Sequence, residues 1–377
     1  MNQPQPATTL LAVGTYTERM PHVDGQGGGI HLLRFDTAQG TFGADAVIGG
    51  LRNPTYLAAS EAGDRLYAVC EIDADQGPTL ETYAIDPAAP MARHLASTPV
   101  GGGWPCHVSV SRAAGILAVS NYQTGNFVIM PLGEDGCPAG TPDLIQRQGS
   151  GAMAGRQDSP HGHCAQQSPD GRHFYLCDLG TDAIARHPIT GGRVAATPDL
   201  TITTRPGAGP RHIVFPPSGR SLLALHELAS TITLHSLDEP ERVAAEVSTL
   251  PSGWTGANLT AAIRIHPSGR FVYASNRGHD SVFAARLDEA AGRLHPLGNW
   301  PVGGRTPRDI AVTPDGAFLL AAAQDEHLIT VFAIDAATGA LRATGHRLEL
   351  KSPSCLCFIP PPGAPAPRDD IYDHVDG

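Results

Sequence analysis

Pairs of short apolar runs, each pair joined by a Pro/Ser/Asp-x-Gly turn, recur along the chain. They read NPTYLAASEAGDRLYAVCE (53–71), PCHVSVSRAAGILAVSN (105–121), PHGHCAQQSPDGRHFYLCD (160–178), GPRHIVFPPSGRSLLALHE (209–227), LTAAIRIHPSGRFVYASNR (259–277) and TPRDIAVTPDGAFLLAAAQD (306–325). Glycine between two alternating runs is hairpin chemistry, because it supplies the positive φ the turn requires. The turn glycines (63, 115, 171, 219, 269, 316) fall 47 to 56 residues apart, the period of propeller blades. Two half-copies remain. SPSCLCFIP (352–360) has a first strand without its second, and TLLAVGTYT (9–17) a second without its first. Joined, they complete a seventh unit and remove two exposed sheet edges. The expected fold is all-β: a seven-bladed β-propeller over 9–360, its last blade closed by strands from both termini.

At 377 residues, length alone suggests two domains; the repeat overrides it, since a closed ring cannot be cut into stable halves. The 43 glycines and 33 prolines suit many tight turns, and a 17 % charged content suits stacked sheets with two buried faces. The formal charge of −11 argues against nucleic acid, which requires clustered Lys/Arg. No segment reaches the apolar length of a membrane span, and LLAV behind a polar N-terminus is too short for a signal-peptide core. A cytoplasmic monomer is expected. The seven cysteines are read as reduced, mostly buried thiols, and the segment 361–377 as a flexible tail.

The start of each first strand and the end of each second strand lie at one blade edge, so residues there converge on one mouth of the central channel. First-strand entries supply Tyr56, His107, His163, Arg211 and Arg308; second-strand exits supply Glu71, Asn121, Asp178, Glu227, Arg277 and Asp325. Ionisable groups crowded into a cleft carry a desolvation cost and mark working sites. Bland roles stand beside this one. Asp178 and Asn121 suit turn anchors, His107 suits an inner-strand core position, and Arg211, Arg277 and Glu227 suit ion pairs between blades. His161 and His163 with His107 or His226 form no metal signature, so neither metal nor cofactor is expected.

The stretches RQDSPHGHCAQQSPDGRHFYLCDLGTD (156–182), GAGPRHIVFPPSGRSLLALHELASTI (207–232), SNRGHDSV (275–282), VGTYT (13–17), NPTYLA (53–58) and PCHVSV (105–110) resemble, in order, the lactonase family of seven-bladed propellers. The resemblance covers about residues 10 to 360. It implies hydrolysis of a sugar-acid lactone, with 6-phosphogluconolactone foremost, and an anionic small molecule as partner. In a related branch acting on carboxymuconate, a histidine, two arginines and a glutamate at the mouth act; by position these fall on His163, Arg211, Glu227 and Arg277. His161 also matches, and His107, Glu71, Arg308 and Asp178 are read as substrate-binding. His226, Cys70 and Ala323 stand where that pattern carries asparagine, which puts substrate identity in question.

Lactone hydrolysis requires a base to activate water and positive charge at the nascent oxyanion. His163 or Glu227 would be the base, one of Arg211 and Arg277 the oxyanion donor, and the other an anion clamp. A carboxymuconate-type cycloisomerase shares this plan. A binding scaffold would instead place aromatics at the mouth, where this sequence places ions.

Overall fold

Seven antiparallel sheets, six of four strands and one of five, form the blades of the computed structural model, with a two-stranded ribbon of Arg19–Met20 and Val23–Asp24 beside them; it describes residues 8–86, 90–111 and 114–361, and the expected tail beyond 361 lies outside them. Blades 1 to 6 begin with inner strands Pro54–Ala59, Pro105–Ser111, Gly162–Gln167, Pro210–Val214, Leu259–Ile265 and Pro307–Val312. Each runs outward through three more strands; blade 3 adds the short strand Arg193–Val194. Blade 7 takes its inner strand, Pro353–Ile359, from the C-terminal end and its next, Thr8–Thr15, from the N-terminal end. Leu10 lies opposite Ile359 and Gly14 opposite Cys355. Gly63 (φ +70) sits where a Cβ would lie 1.9 Å from the carbonyl oxygen of Pro360, so this turn admits only glycine while the closing strand passes.

The hydrophobic core is divided into seven clusters, one at each blade interface. Both faces of each second strand are therefore dry: Ile116–Asn121, Ser221–His226 and the first six residues of Phe271–Arg277 are buried throughout. At the blade 5–blade 6 interface, Phe271, Tyr273 and Val282 pack against Ile310, Leu319 and Phe332. Burying such side chains contributes roughly 1.5–3 kcal/mol each.

Every inner strand carries a bulge at its entry. The register slips between Pro54 and Tyr56, Pro105 and His107, Gly162 and Cys164, Pro210 and His212, Thr260 and Ile263, and Pro307 and Asp309. Blade 7 slips where Gly14 and Thr15 face Cys355 and Pro353. An extra residue on one strand re-aims its side chains. Two successive residues per blade therefore turn toward the axis, as Thr55 with Tyr56, Arg211 with His212 and Arg308 with Asp309 do around the central cavity.

Candidate active site

The bulges build two rings. The outer one, at the mouth, contains Thr55, Cys106, His163, Arg211, Ala261, Arg308 and Ser354; the deeper one contains Tyr56, His107, Cys164, His212, Ala262, Asp309 and Cys355. A third ring comes from the residue just past each second strand. Its backbone N–H returns to the residue before the inner strand: Tyr16 to Ser352, Glu71 to Asn53, Tyr122 to Trp104, Leu179 to His161, Glu227 to Gly209 and Gln324 to Thr306. Arg277, opposite Leu259, completes it.

Glu227 is the hub of one half of the mouth. Its Oε2 accepts from Arg211 Nε at 2.9 Å and lies 2.9 Å from Arg277 Nη2, and its Oε1 accepts from Arg156 Nη2 at 2.5 Å. Burial alone would raise the Glu227 carboxyl, but Arg277, Arg211, His163 and Arg156 outweigh it and hold the group far below the usual carboxylate range. Arg211 Nη1 donates to the Ala261 carbonyl and to His212 Nε2. Arg277 Nη2 donates to the Thr260 carbonyl, while its buried Nε has no hydrogen-bond partner among the described residues. Burial, with help from Arg211 and Arg308, lowers the Arg277 guanidinium to about 10 despite Glu227.

His163 Nε2 stands 4.0 Å from Glu227 Oε2. Burial first, then Arg211, pushes this imidazole well below its ordinary value, so it is neutral at physiological pH. No hydrogen bond occupies Nε2 among the described residues, and the atom is not sealed from solvent. A neutral imidazole with an open nitrogen beside fixed guanidiniums can accept a proton from water.

The opposite half is built on Glu71. Tyr16 donates its hydroxyl to Glu71 Oε2 at 2.9 Å, Thr55 donates to the same oxygen at 2.6 Å, and His22 Nε2 lies 4.0 Å from Oε1. The Arg308 guanidinium rests 5.0 Å above the Tyr16 ring and makes no hydrogen bond or ion pair with any described residue. Burial opposes its charge, yet Tyr16, Glu71 and Glu227 together raise its pKa. Four guanidiniums (Arg156, Arg211, Arg277, Arg308) less two carboxylates (Glu71, Glu227) give the mouth a formal charge of +2, inside a chain of −11. A narrow cavity, open at the mouth, runs from Glu71 and Arg308 down to Arg211, His212 and Asp309. His163 and Glu227 lie beyond its wall, next to Arg211.

His163, Arg211, Glu227 and Arg277 are thus brought together, with Glu71 and Arg308 opposite. His107 and Tyr56 belong one level deeper: their rings lie 4.6 Å apart, and each flanks His212. Asp178 does not reach the mouth. Fully buried, it accepts from the backbone N–H groups of His161 and Gly180 and lies 3.5 Å from Arg147. It precedes the third-ring position by one residue, as Asn121 does, and one residue flips a strand side chain to the other face. Asn121 donates to the Val100 carbonyl, and His226, one place before Glu227, bonds Thr233 inside its own blade. His161 faces Tyr122, donating from Nδ1 to its carbonyl at 2.8 Å.

Sequence reasoning missed Tyr16, Tyr122, His212 and Arg156. Counting eight residues from the turn glycine finds the third ring in five copies (63 to 71, 171 to 179, 219 to 227, 269 to 277, 316 to 324). Copy 2 is one shorter, which hides Tyr122. Arg156 directly follows the glycine-rich loop segment 149–155, which carries no charged residue to mark it. Gln157 pins that loop by donating to the Leu179 carbonyl and to Asp182. The mouth also holds aromatics beside its ions: Tyr16, Trp104 and Tyr122.

A seven-bladed propeller whose mouth joins a neutral, open imidazole to an arginine-bound carboxylate belongs to the enzymes of this architecture. The family model described as "Lactonase, 7-bladed beta-propeller" matches residues 10–358, and the chain belongs to that family of lactonases. It is 29 % identical to the 6-phosphogluconolactonase of Bacillus subtilis over 92 % of this chain and 97 % of that one. The 6-phosphogluconolactonase of Formosa agariphila is also 29 % identical, over 92 % and 98 %. Among solved structures, a putative 6-phosphogluconolactonase from Bacteroides fragilis superposes with a TM-score of 0.86 at 28 % identity, covering 95 % of this chain and all of that one. The periplasmic gluconolactonase of Pseudomonas aeruginosa gives 0.85 at 28 %, over 93 % and 99 %.

Proposed function

We propose that the protein hydrolyses an anionic sugar-acid lactone, 6-phosphogluconolactone, at the propeller mouth. The observation that carries this reading is the open Nε2 of neutral His163, set beside Glu227 and its arginines and facing a half-site with an uncommitted guanidinium. The names of the relatives support the same substrate.

In this reading His163 Nε2 accepts a proton as water attacks the lactone carbonyl carbon. The carbonyl oxygen becomes an oxyanion, met by the Arg277 guanidinium. Collapse breaks the acyl–oxygen bond of the ring, and His163 returns the proton to the departing hydroxyl. Glu227, ionised and bonded to three guanidiniums, is too weak a base for the first step; it fixes the arginines and orients His163. Arg308 takes the phosphate, for which a guanidinium offers paired donors. Asp178 acts only by holding the His161 segment.

The test is the rate of 6-phosphogluconolactone opening over its spontaneous rate, with EDTA present, for wild type and His163→Ala. The variant should lose about 10²–10⁴ in kcat. A loss under about threefold removes His163 from the chemistry, and no wild-type turnover refutes the substrate.

A further inference from the structure

The residue before the inner-strand proline is left-handed in five blades: Asn53, Trp104, Gly209, Thr306 and Ser352, with φ between 44° and 65°. Glycine adopts this backbone freely, and the three polar residues use their side chains locally. Asn53 Oδ1 accepts from the N–H groups of Thr17 and Glu18, Thr306 donates to Asp325, and Ser352 Oγ accepts from Gln26 N–H. Trp104 is the bulky exception. A large side chain there costs on the order of 1–3 kcal/mol, a strain that clusters at ligand clamps.

The indole is fixed in one orientation. Its Nε1–H donates to Asp73 Oδ1 at 2.8 Å, and Asp73 is held in turn by Gln123. Trp104 lies nearly parallel to Tyr122, at 18° and 6.2 Å; Tyr122 stacks on His161 at 4.3 Å and meets His163 edge-on at 5.6 Å. His22 approaches the indole to 6.1 Å, tilted by 57°, and leads to Tyr16 and Glu71. The half-buried indole therefore spans the rim between the His163–Glu227 half and the Glu71–Arg308 half.

We propose that Trp104 is the platform for the sugar ring of the substrate. An aromatic face is apolar and carries the negative side of the ring quadrupole. The C–H face of a sugar lactone matches it, with hydroxyls pointing outward to polar partners. The inference deepens the lactone reading of this site and rests on it.

Binding is read apart from turnover. 6-Phosphogluconate, gluconate and inorganic phosphate are titrated by isothermal calorimetry. Lactone kinetics run in parallel. Trp104→Ala should weaken both sugar acids and raise KM for the lactone at least about tenfold. It should keep kcat within about threefold and phosphate affinity, read by competition, within about twofold. Trp104→Phe, which keeps an aromatic face, should stay within about threefold of wild type throughout and serves if the alanine variant fails to fold. Sugar-acid affinity unchanged in Trp104→Ala, or phosphate weakened equally, overturns the proposal. Lactone turnover indifferent to Trp104 sinks the platform and leaves the lactonase reading standing. Trp104-dependent sugar-acid binding without lactone turnover does the reverse.

Discussion

Replacing Glu227 with glutamine keeps its shape and removes the one carboxylate among the described residues that bonds Arg156, Arg211 and Arg277. The mouth then goes from a formal +2 to +3, with two guanidiniums buried side by side. Removing one partner of a buried ion pair costs about 3–5 kcal/mol. The partial exposure of Arg156 (34 %) keeps its share small, so that range is retained. Unfolding entropy near about 2.1 cal/mol/K per residue, over 377 residues, amounts to about 0.8 kcal/mol/K. The loss should therefore lower Tm by about 4–6 °C. Scanning calorimetry at neutral pH and low salt reads it, and inorganic phosphate should recover more of the loss in the variant than it adds to wild type. The sign with pH follows from the depressed carboxyl. Its stabilisation is complete above the unfolded value of about 4.3 and is lost as pH falls toward the lower folded value. The gap between variant and wild type should therefore narrow below about pH 4. A Tm within about one degree of wild type, with no added phosphate response, would refute the idea that Glu227 is the counter-charge of the cluster.

Arg308→Gln should raise KM for the phosphorylated lactone at least about tenfold and leave a neutral gluconolactone within about threefold; steady-state kinetics with both substrates check it. Because burial and Arg211 depress His163, kcat/KM should stay flat through pH 6.5 and fall only at lower pH, and an acidic limb centred at or above 6.5 contradicts a neutral His163. Buried His163, His212, His226 and His235 all titrate below their ordinary value. The unfolded chain thus binds protons that the native one refuses, and stability should drop as pH falls below about 6.5, visible as a declining Tm. Phe271→Ala at the blade 5–blade 6 interface should cost about 3–5 kcal/mol, read as a denaturant midpoint shift.

The blade count and the closing strands were legible because Gly63, Gly115, Gly171, Gly219, Gly269 and Gly316 mark one turn in every copy. The facing of individual side chains was not, for two reasons. The entry bulge adds a residue that alternation cannot reveal, so His107 and Tyr56 were grouped with His163 although they lie one level down. The second-strand exit of copy 2 is one residue shorter than the others, which left Tyr122 unseen, and in copy 3 the charged Asp178 stands one place before the ring position that Leu179 holds. Arg211, Glu227 and Arg277 escaped both errors, since in their blades the charged residue itself holds the ring position. Arg156 had no such marker: it lies between repeats, and only the Gln157 anchor brings it over Glu227.

The arrangement of charge also explains why the two halves of the mouth differ. Arg211, Arg277 and Arg156 share one carboxylate through short bonds, so their charge is spent on geometry and they are held in place. Arg308 faces Glu71, but that carboxylate is taken by the hydroxyls of Tyr16 and Thr55, and the guanidinium lies on the Tyr16 ring instead. A cation held by an aromatic face keeps all its N–H donors available. The rigid half is suited to a transition state whose oxyanion must meet a donor already in place, since reorganisation at that moment would add to the barrier. The half with free donors is suited to a ground-state anion. In the proposed reading catalysis and affinity fall to different arginines, and substitutions at Arg277 and Arg308 should separate kcat from KM.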